Sequence, residues 1–548
     1  MYRQSSLIFW FLIPLITIFA TPGINTDSTN LPRLAILGSL STALFFQLIH
    51  KIKLLNHSRI KMIYLASLVF FLTLLIPLLL TEAPIEQQIF GVYGRNAGVL
   101  TYVFLLFIFL TASITNFKAT SRAVIWSIVA TSTFESVYAG IQYLGLDPID
   151  WQASETWIRG TLINHNFLAA FLGIAEVIIL VLLTRQKNSK KISFFLIFQF
   201  VFNLVILVLS TSMQGIIMTS LGVVFVIYLQ LKDRNIHSVL MRLYWGFIAL
   251  SSGFSIAGIL QIGPLTKLMY QDSVTFRGDY WYSGIHMFLK YPFSGVGLDS
   301  YGDNYLEFRS LASATQRDPN IASDVAHNVL IDFAANGGIF LLSAYLFLNF
   351  IVLLSVIRVF KTKAELSVEY LAVLIAWIAF QAQSIISMNQ IVIVTVGWIL
   401  AGLVIGFERQ LTGSLSFEVT KKGKKKAGLL GFNIGFMTFI GVLIGFVISS
   451  FPLFGDLNWR ASLLTGDSSK VIAAAEAWPR NSGRYVATAN GYMQFEKYDE
   501  AKSAIDNGLK FNDKNINLWK LILLNPKYSV KEKENARSAI LQLDPQRK

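Results

Sequence analysis

The sequence predicts an all-α polytopic membrane protein of about thirteen transmembrane helices, with one long outer loop and a C-terminal α-helical repeat domain. Three observations predict it. Hydrophobic residues make up 54% of the 548-residue chain and charged residues 14%, where a soluble domain carries about 25% charged residues. Apolar runs of the roughly 20 residues that a membrane helix needs recur along the chain. Lys and Arg collect in alternate connecting segments, as cytoplasmic loops require.

The apolar runs fall at about 6–22, 32–50, 61–81, 98–115, 122–144, 166–184, 192–210, 214–231, 241–262, 328–357, 367–387, 390–407 and 429–452. The first follows Arg3 and could be a secretory signal, but many spans follow it and no small-residue cleavage site is apparent, so it reads as a helix. Basic residues then alternate. Lys51 and Lys53, Lys118 and Arg122, Arg185 to Lys191, Arg358 to Lys363 and the run from Lys421 to Lys426 lie on one side; Arg33, Arg95, Arg159, Arg277 and a few others lie opposite. The N-terminus is therefore expected in the cytoplasm and the C-terminus outside. The same distribution explains the net charge of +14 as topogenic, so nucleic-acid binding is not expected.

This divides the chain into helices one to nine (1–262), a long outer loop (263–327), helices ten to thirteen (328–452) and an outer domain (453–548). So long a loop between packed elements is usually functional. Its stretch 280–291, with many aromatics and a lone Lys, suits a short interfacial helix. In the tail, helical runs at 469–477, 499–510 and 531–541 are each followed by a turn containing Pro479, Asp513 or Pro545, a period of about 34 that resembles tetratricopeptide repeats. Such a domain would bind a protein partner, a peptide or a glycan.

The chain has no cysteine, which excludes disulfides, thiolate catalysis and Cys-ligated metals, and its six histidines leave few groups for proton transfer. Glu135 and Glu176 fall inside spans, where a carboxyl is costly; each is a functional candidate or a partner for a neighbouring helix. That set is small for an ion-coupled transporter. Polar groups concentrate instead at the outer helix ends. Gly94-Arg95-Asn96 precedes the fourth span, Arg159-Gly160-Thr161 the sixth, and Phe276-Arg277-Gly278-Asp279 lies in the long loop. Arg is a permanently charged planar fork that suits pyrophosphate, so three converging would form a phosphorylated-ligand site; singly, each could be a surface or headgroup contact. The long loop continues through Tyr291-Pro292-Phe293-Ser294-Gly295-Val296-Gly297 and ends at His327-Asn328, ahead of Asn336-Gly337-Gly338. His327 can take a proton from a hydroxyl near neutral pH, or can serve the helix start; His165 and His286 are rivals. Asp27, Asp147, Asp150, Asp299 and Asp303 are scattered, Asp279 could pair with Arg277, and no carboxylate pair suggests a metal site.

The order Arg277 to Trp281, Tyr291-Pro292 with Gly295 and Gly297, Tyr301, His327-Asn328 and Gly337-Gly338 resembles the signature of the O-antigen ligase family, which includes polysaccharide polymerases and protein O-oligosaccharyltransferases. Arg159-Gly160-Thr161 with residues 164–169 is similar to a second family stretch, with His165 where Pro is commoner. The resemblance covers about 90–405. It implies a GT-C-type glycosyltransferase of the bacterial inner membrane that moves a glycan from an undecaprenyl-pyrophosphate carrier to a lipid, protein or glycan acceptor on the outer face, without cofactor or metal. It implies that Arg277 binds the pyrophosphate, helped by Arg95 and Arg159, and that His327 activates the acceptor hydroxyl. The thirteenth span and the outer repeats depart from ligases that use lipid A-core and leave the acceptor open. A polysaccharide polymerase is the rival within this class; a lipid-linked-glycan flippase or other transporter is the rival outside it.

Overall fold

The computed structural model describes residues 2–49, 58–151, 158–234, 238–260, 262–263, 266–269, 272–315, 322–413 and 433–546, and every regular element among them is a helix. The expected basic groups at Lys51, Lys53, Arg317 and 421–426 lie outside the described residues.

Each expected span coincides with a helix. Among the described residues nine helices could cross a membrane by length and composition, or ten if the pair Ile434–Ser449 and Phe451–Leu463, bent by 49°, is one span. Gln4–Ile18, Val99–Ala112 and Val368–Ser384 are apolar but shorter. The starts are legible in local chemistry. Asn116, Asn164, Ser189, Asn328, Ser367 and Asn433 each accept a hydrogen bond from a first-turn N–H, satisfying a donor that the helix itself leaves open.

Water cannot drive association of apolar helices inside a bilayer, so close backbone approach matters more. Gly441 and Gly445, one turn apart on Ile434–Ser449, face Ala43 and Gly38 of Asn30–Ile49, where any Cβ would strike backbone. Ile391–Leu411 is buried along nearly its whole length and forms the centre of the bundle.

The long loop is more ordered than a single interfacial helix over 280–291. Its main element runs Asp272–Lys290, beginning earlier because Asp279, Ser283 and Met287, with Gly284, recur on one face at helical spacing and are buried. Gly284 lets that face pack against Ile331 and Tyr301, while Tyr282, Ile285 and Leu289 remain exposed on the opposite, apolar face. Two short helices, Tyr301–Phe308 and Leu311–Thr315, follow.

Beyond the last span, Ser468–Glu476, Ser482–Gln494, Tyr498–Phe511, Ile516–Leu524 and Val530–Leu543 pack around Tyr485, Ala489, Ile505, Leu518 and Ile522. This C-terminal helical domain is fastened to the loops at one end of the bundle. Asp456 accepts from Thr26 N–H at 2.6 Å and Tyr93 Oη at 3.1 Å; Arg480 Nε meets Glu86 at 2.8 Å; Asn512 Nδ2 meets Asp303 at 3.1 Å.

Candidate functional site

A broken helix lies at the centre of the site. Val329–Lys361 contains Gly338 at φ 69° and ψ −168°, a conformation that interrupts the helix and opens backbone groups near residues 335–339. The turn at 292–297 takes them up. Val296 N–H donates to the Ala335 carbonyl at 2.8 Å, Gly297 N–H to that of Asn336 at 3.2 Å, and Ile339 N–H to that of Pro292 at 2.7 Å. Gly295, at φ 64°, has no room for a Cβ against Asn336 and Gly337. The Pro292–Gly295–Gly297 pattern and the distant Asn336-Gly337-Gly338 are therefore two halves of one joint.

At the start of this helix Asn328 caps Leu330 and Ile331 with its side-chain oxygen, and Asp332 accepts from Ala326 N–H at 2.8 Å. The backbone between is drawn tight, leaving His327 at φ +52°, which costs a side-chain-bearing residue about 1–3 kcal/mol. The capping is done by Asn328, so the His327 imidazole is left for another use. It stacks on Tyr280 with centroids 5.4 Å apart. Tyr280 is held in turn by Tyr305, edge-on at 5.8 Å, and its carbonyl accepts from Tyr301 Oη at 2.6 Å.

Arg277 stands three residues before Tyr280, on the same side of Asp272–Lys290. Its Nε donates to the Ile386 carbonyl at 2.9 Å, joining the long loop to the 385–390 connection between two spans. Arg95 approaches from the segment before Val99–Ala112. Its guanidinium lies 2.9 Å from Asp299 and also bonds the Asp324 carbonyl. Asp299 is buried, at φ +52°, and its other oxygen accepts from Val92 N–H at 2.7 Å and Ala97 N–H at 3.2 Å. A single carboxylate thus sets both the loop and the charge it carries.

Charge follows from this geometry. Burial, then Arg277, then Arg95 push the His327 pKa down to about 4, so the imidazole is neutral at pH 7 with a lone pair available. Burial lowers the pKa of Arg277, opposed by Tyr280. For Arg95, burial works against the charge but Asp299, Asp332 and Asp324 outweigh it, so its pKa is raised. Three of the four expected site residues lie on adjoining segments: His327 stacks on Tyr280, three residues after Arg277, and Arg95 bonds the carbonyl of Asp324, three positions before His327.

Arg159 precedes the short helix Gly160–Leu162, and its backbone N–H donates to Gln142 at 3.2 Å. The segment is clamped from within the bundle. Glu135 accepts from Thr161 N–H at 3.0 Å and from the Thr161 hydroxyl, while the buried Arg33 donates to the Thr161 and Thr17 carbonyls at 2.7 Å each. Glu135 is thus occupied in holding this loop. Glu176 is fully buried beside Asn203 and makes no contact with the site. A cavity of about 200 Å³ does link the two regions, lined by Arg95, residues 162–164 and residues 388–390.

The remaining candidates have local roles. His165 Nδ1 meets the Ser210 carbonyl at 3.1 Å and His286 Nδ1 meets that of Tyr282 at 2.8 Å. Asp27 accepts from Thr29 and Asn30 N–H groups, Asp147 from Tyr138 and Gln142, and Asp279 from Ser310. Among the described residues no cluster of three or more His, Asp or Glu side chains could hold a metal ion. Sequence reasoning missed Asp299 and Asp332 as organisers, since isolated acidic letters carry no sign of the backbone groups they will bind.

Residues 166–346 match the O-Antigen ligase family model. This stretch holds Arg277, the 292–297 turn, His327 and the helix break, and supports a ligase-like membrane glycosyltransferase in general terms. Arg95, Arg159 and the C-terminal helical domain lie outside the ligase-family match. No curated protein matches the chain in sequence.

Proposed function

We propose that this protein is a metal-independent, GT-C-type glycosyltransferase that moves a glycan from an undecaprenyl-pyrophosphate carrier to an acceptor hydroxyl at the outer face of a bacterial inner membrane. The observation that supports the reading is the His327 ring stacked on Tyr280, with Arg277 one turn before Tyr280 on the same helix and Arg95 bonded to the Asp324 carbonyl three positions before His327. A diphosphate brought to these guanidinium groups has its charge matched by planar donor forks. Arg159, immediately before the cavity-lining loop 162–164, is assigned a supporting contact to the same diphosphate.

In the proposed reaction the His327 lone pair takes the acceptor O–H proton as the oxygen attacks the anomeric carbon. The bond from that carbon to the phosphate oxygen breaks, and its electron pair leaves with the carrier diphosphate, where the arginines stabilise the developing charge. The His327 proton is then released to water. One displacement inverts the anomeric centre. A positioned base of this kind contributes about 10² to 10⁴-fold.

With the N-terminus in the cytoplasm, the long loop 263–327 and the outer domain 453–548 face outward and supply the catalytic loop and a tetratricopeptide-like partner or acceptor platform. The test is to reconstitute the full chain in lipid with a lipid-linked oligosaccharide and measure carrier pyrophosphate release with lipid, protein and glycan acceptors. Acceptor-dependent release is expected. Movement of intact donor between leaflets with no release would instead make the protein a transporter.

A further inference from the structure

We propose that the cleft between the outer helical domain and the loops beside Arg95 binds the acceptor, and that this acceptor is an extended, uncharged glycan chain. The inference rests on the transferase reading above and names the substrate class for its second site. Two adjoining chambers of about 260 and 400 Å³ share Asp303, Phe511 and Lys514 in their walls. One end opens at residues 80–84, next to the end of the span Lys61–Leu80. The other reaches Asp324, whose carbonyl is held by Arg95 and which precedes His327 by three positions. Arg95 therefore stands between this cleft and the 200 Å³ cavity on its other contacts, which would leave donor and acceptor one site each.

The wall chemistry selects the class. The larger chamber sets three cations, Arg480, Lys514 and Lys520, against three carboxylates, Asp303, Asp324 and Asp544, so it offers no excess charge to a polyanion or an acidic peptide. Several of these are already matched: Arg480 to Glu86, Asp544 to Arg309, and Lys514 Nζ to Asn304 at 2.7 Å. Between them stand the amides of Gln87, Asn481, Asn515 and Asn517. An amide both donates and accepts, which suits adjacent sugar hydroxyls, and Tyr93 and Phe511 in the same wall offer ring faces against which a sugar can stack. Asn517 is exposed on this wall, its backbone N–H donates to Asn515 at 3.1 Å, and among the described residues no hydrogen bond engages its side chain.

The experiment uses the full chain in lipid nanodiscs and, as probe, the donor glycan freed from its carrier by mild acid. Saturation-transfer NMR reads binding of this soluble glycan to the wild type, Asn517→Ala and Asn517→Trp; kinetics with the same glycan as acceptor reads the two KM values. The expected result is a binding signal in the wild type that Asn517→Trp abolishes. With it goes a rise of about tenfold in acceptor KM and under about twofold in donor KM, Asn517→Ala giving a smaller change in the same direction. The proposal is overturned if the wild type gives no signal, if the signal survives Asn517→Trp, or if donor KM rises while acceptor KM does not, which would make the cleft a track for the donor glycan. Failure of the transferase reading is separately visible as absence of pyrophosphate release with every acceptor, because the binding signal needs no turnover.

Discussion

Arg309 grips both carboxylate oxygens of Asp544, Nε to Oδ1 at 3.0 Å and Nη2 to Oδ2 at 2.7 Å, with both side chains almost wholly withdrawn from solvent. The pair ties the last helical turn of the C-terminal domain to the loop that carries the site, across 235 positions of sequence. Removing one member of such a pair leaves a buried charge alone, a loss of about 3–5 kcal/mol. Asp544→Ala is expected to loosen the outer domain, seen as faster proteolysis within 453–546 and weaker use of acceptor. Replacing both residues with apolar side chains of similar size should restore much of the stability. Equal protease resistance in Asp544→Ala and wild type would show that this bond does not hold the domain.

Asp299 is expected to matter as much as the arginine it positions. Asp299→Ala strands the Val92 and Ala97 N–H groups and the Arg95 charge, and each buried polar group so left costs about 1–3 kcal/mol. The variant should melt earlier and raise donor KM, and Arg95→Ala should raise donor KM with the smaller loss of stability. A donor KM that stays at the wild-type value in both variants would remove Arg95 from the diphosphate site.

The pH profile separates His327 from an ordinary histidine. With its pKa near 4 in the free protein, the acid limb of kcat/KM should fall near pH 4 and the enzyme should remain active well below pH 6.5. A bound diphosphate offsets the Arg277 and Arg95 charges, so the limb in kcat should lie higher. Arg277→Ala removes one of the lowering charges and should move the kcat/KM limb upward. The stability effect has the same origin: below about 6.5 the unfolded chain takes up a proton that the folded site refuses. Stability contributed here is complete above pH 6.5 and is lost as pH falls towards 4. A limb at the ordinary value in both profiles would mean that the two arginines do not act on His327.

Gly295 and Gly278 make a contrasting pair. Gly295→Ala forces a Cβ into the backbone of the helix break at a left-handed φ, and should cost both folding and activity by separating the 292–297 turn from residues 335–339. Gly278, beside Arg277 on the same long-loop helix, has open space around it, and Gly278→Ala should stabilise that helix by up to about 1 kcal/mol. Thermal melting of the two variants checks both signs.

Much of this architecture is legible in the letters. Apolar run lengths mark the helices, and Asn or Ser at their starts fixes their boundaries, because both signals are local. The pairing of Pro292, Gly295 and Gly297 with Gly337 and Gly338 is visible only as a recurring order, and its reason, a helix break that must be hydrogen-bonded from elsewhere, appears once the two segments meet. Arg95, Arg277 and His327 could be selected because charged or titratable groups are scarce at the outer helix ends. Arg159 could be selected on the same ground, and its segment is held by Glu135 and Arg33 through Thr161. Glu135 could be read as a functional group or as a partner for a neighbouring segment, and the structure shows the second: a buried carboxyl needs partners, and here Thr161 is its hydrogen-bond donor. The clasp of the outer domain was not legible, because Asp456, Arg480, Asn512 and Asp544 are ordinary surface letters until the chain folds back.

The division of labour between Arg277 and His327 is tested most directly by comparing wild type, Arg277→Ala and His327→Ala in lipid for donor binding and for acceptor-dependent release of carrier pyrophosphate. His327→Ala is expected to bind donor normally and lose about 10² to 10⁴-fold in turnover. Arg277→Ala should lose both, with turnover down by about 10² to 10³-fold. Turnover in His327→Ala equal to that of the wild type would contradict the assignment of the base and, with it, the proposed mechanism.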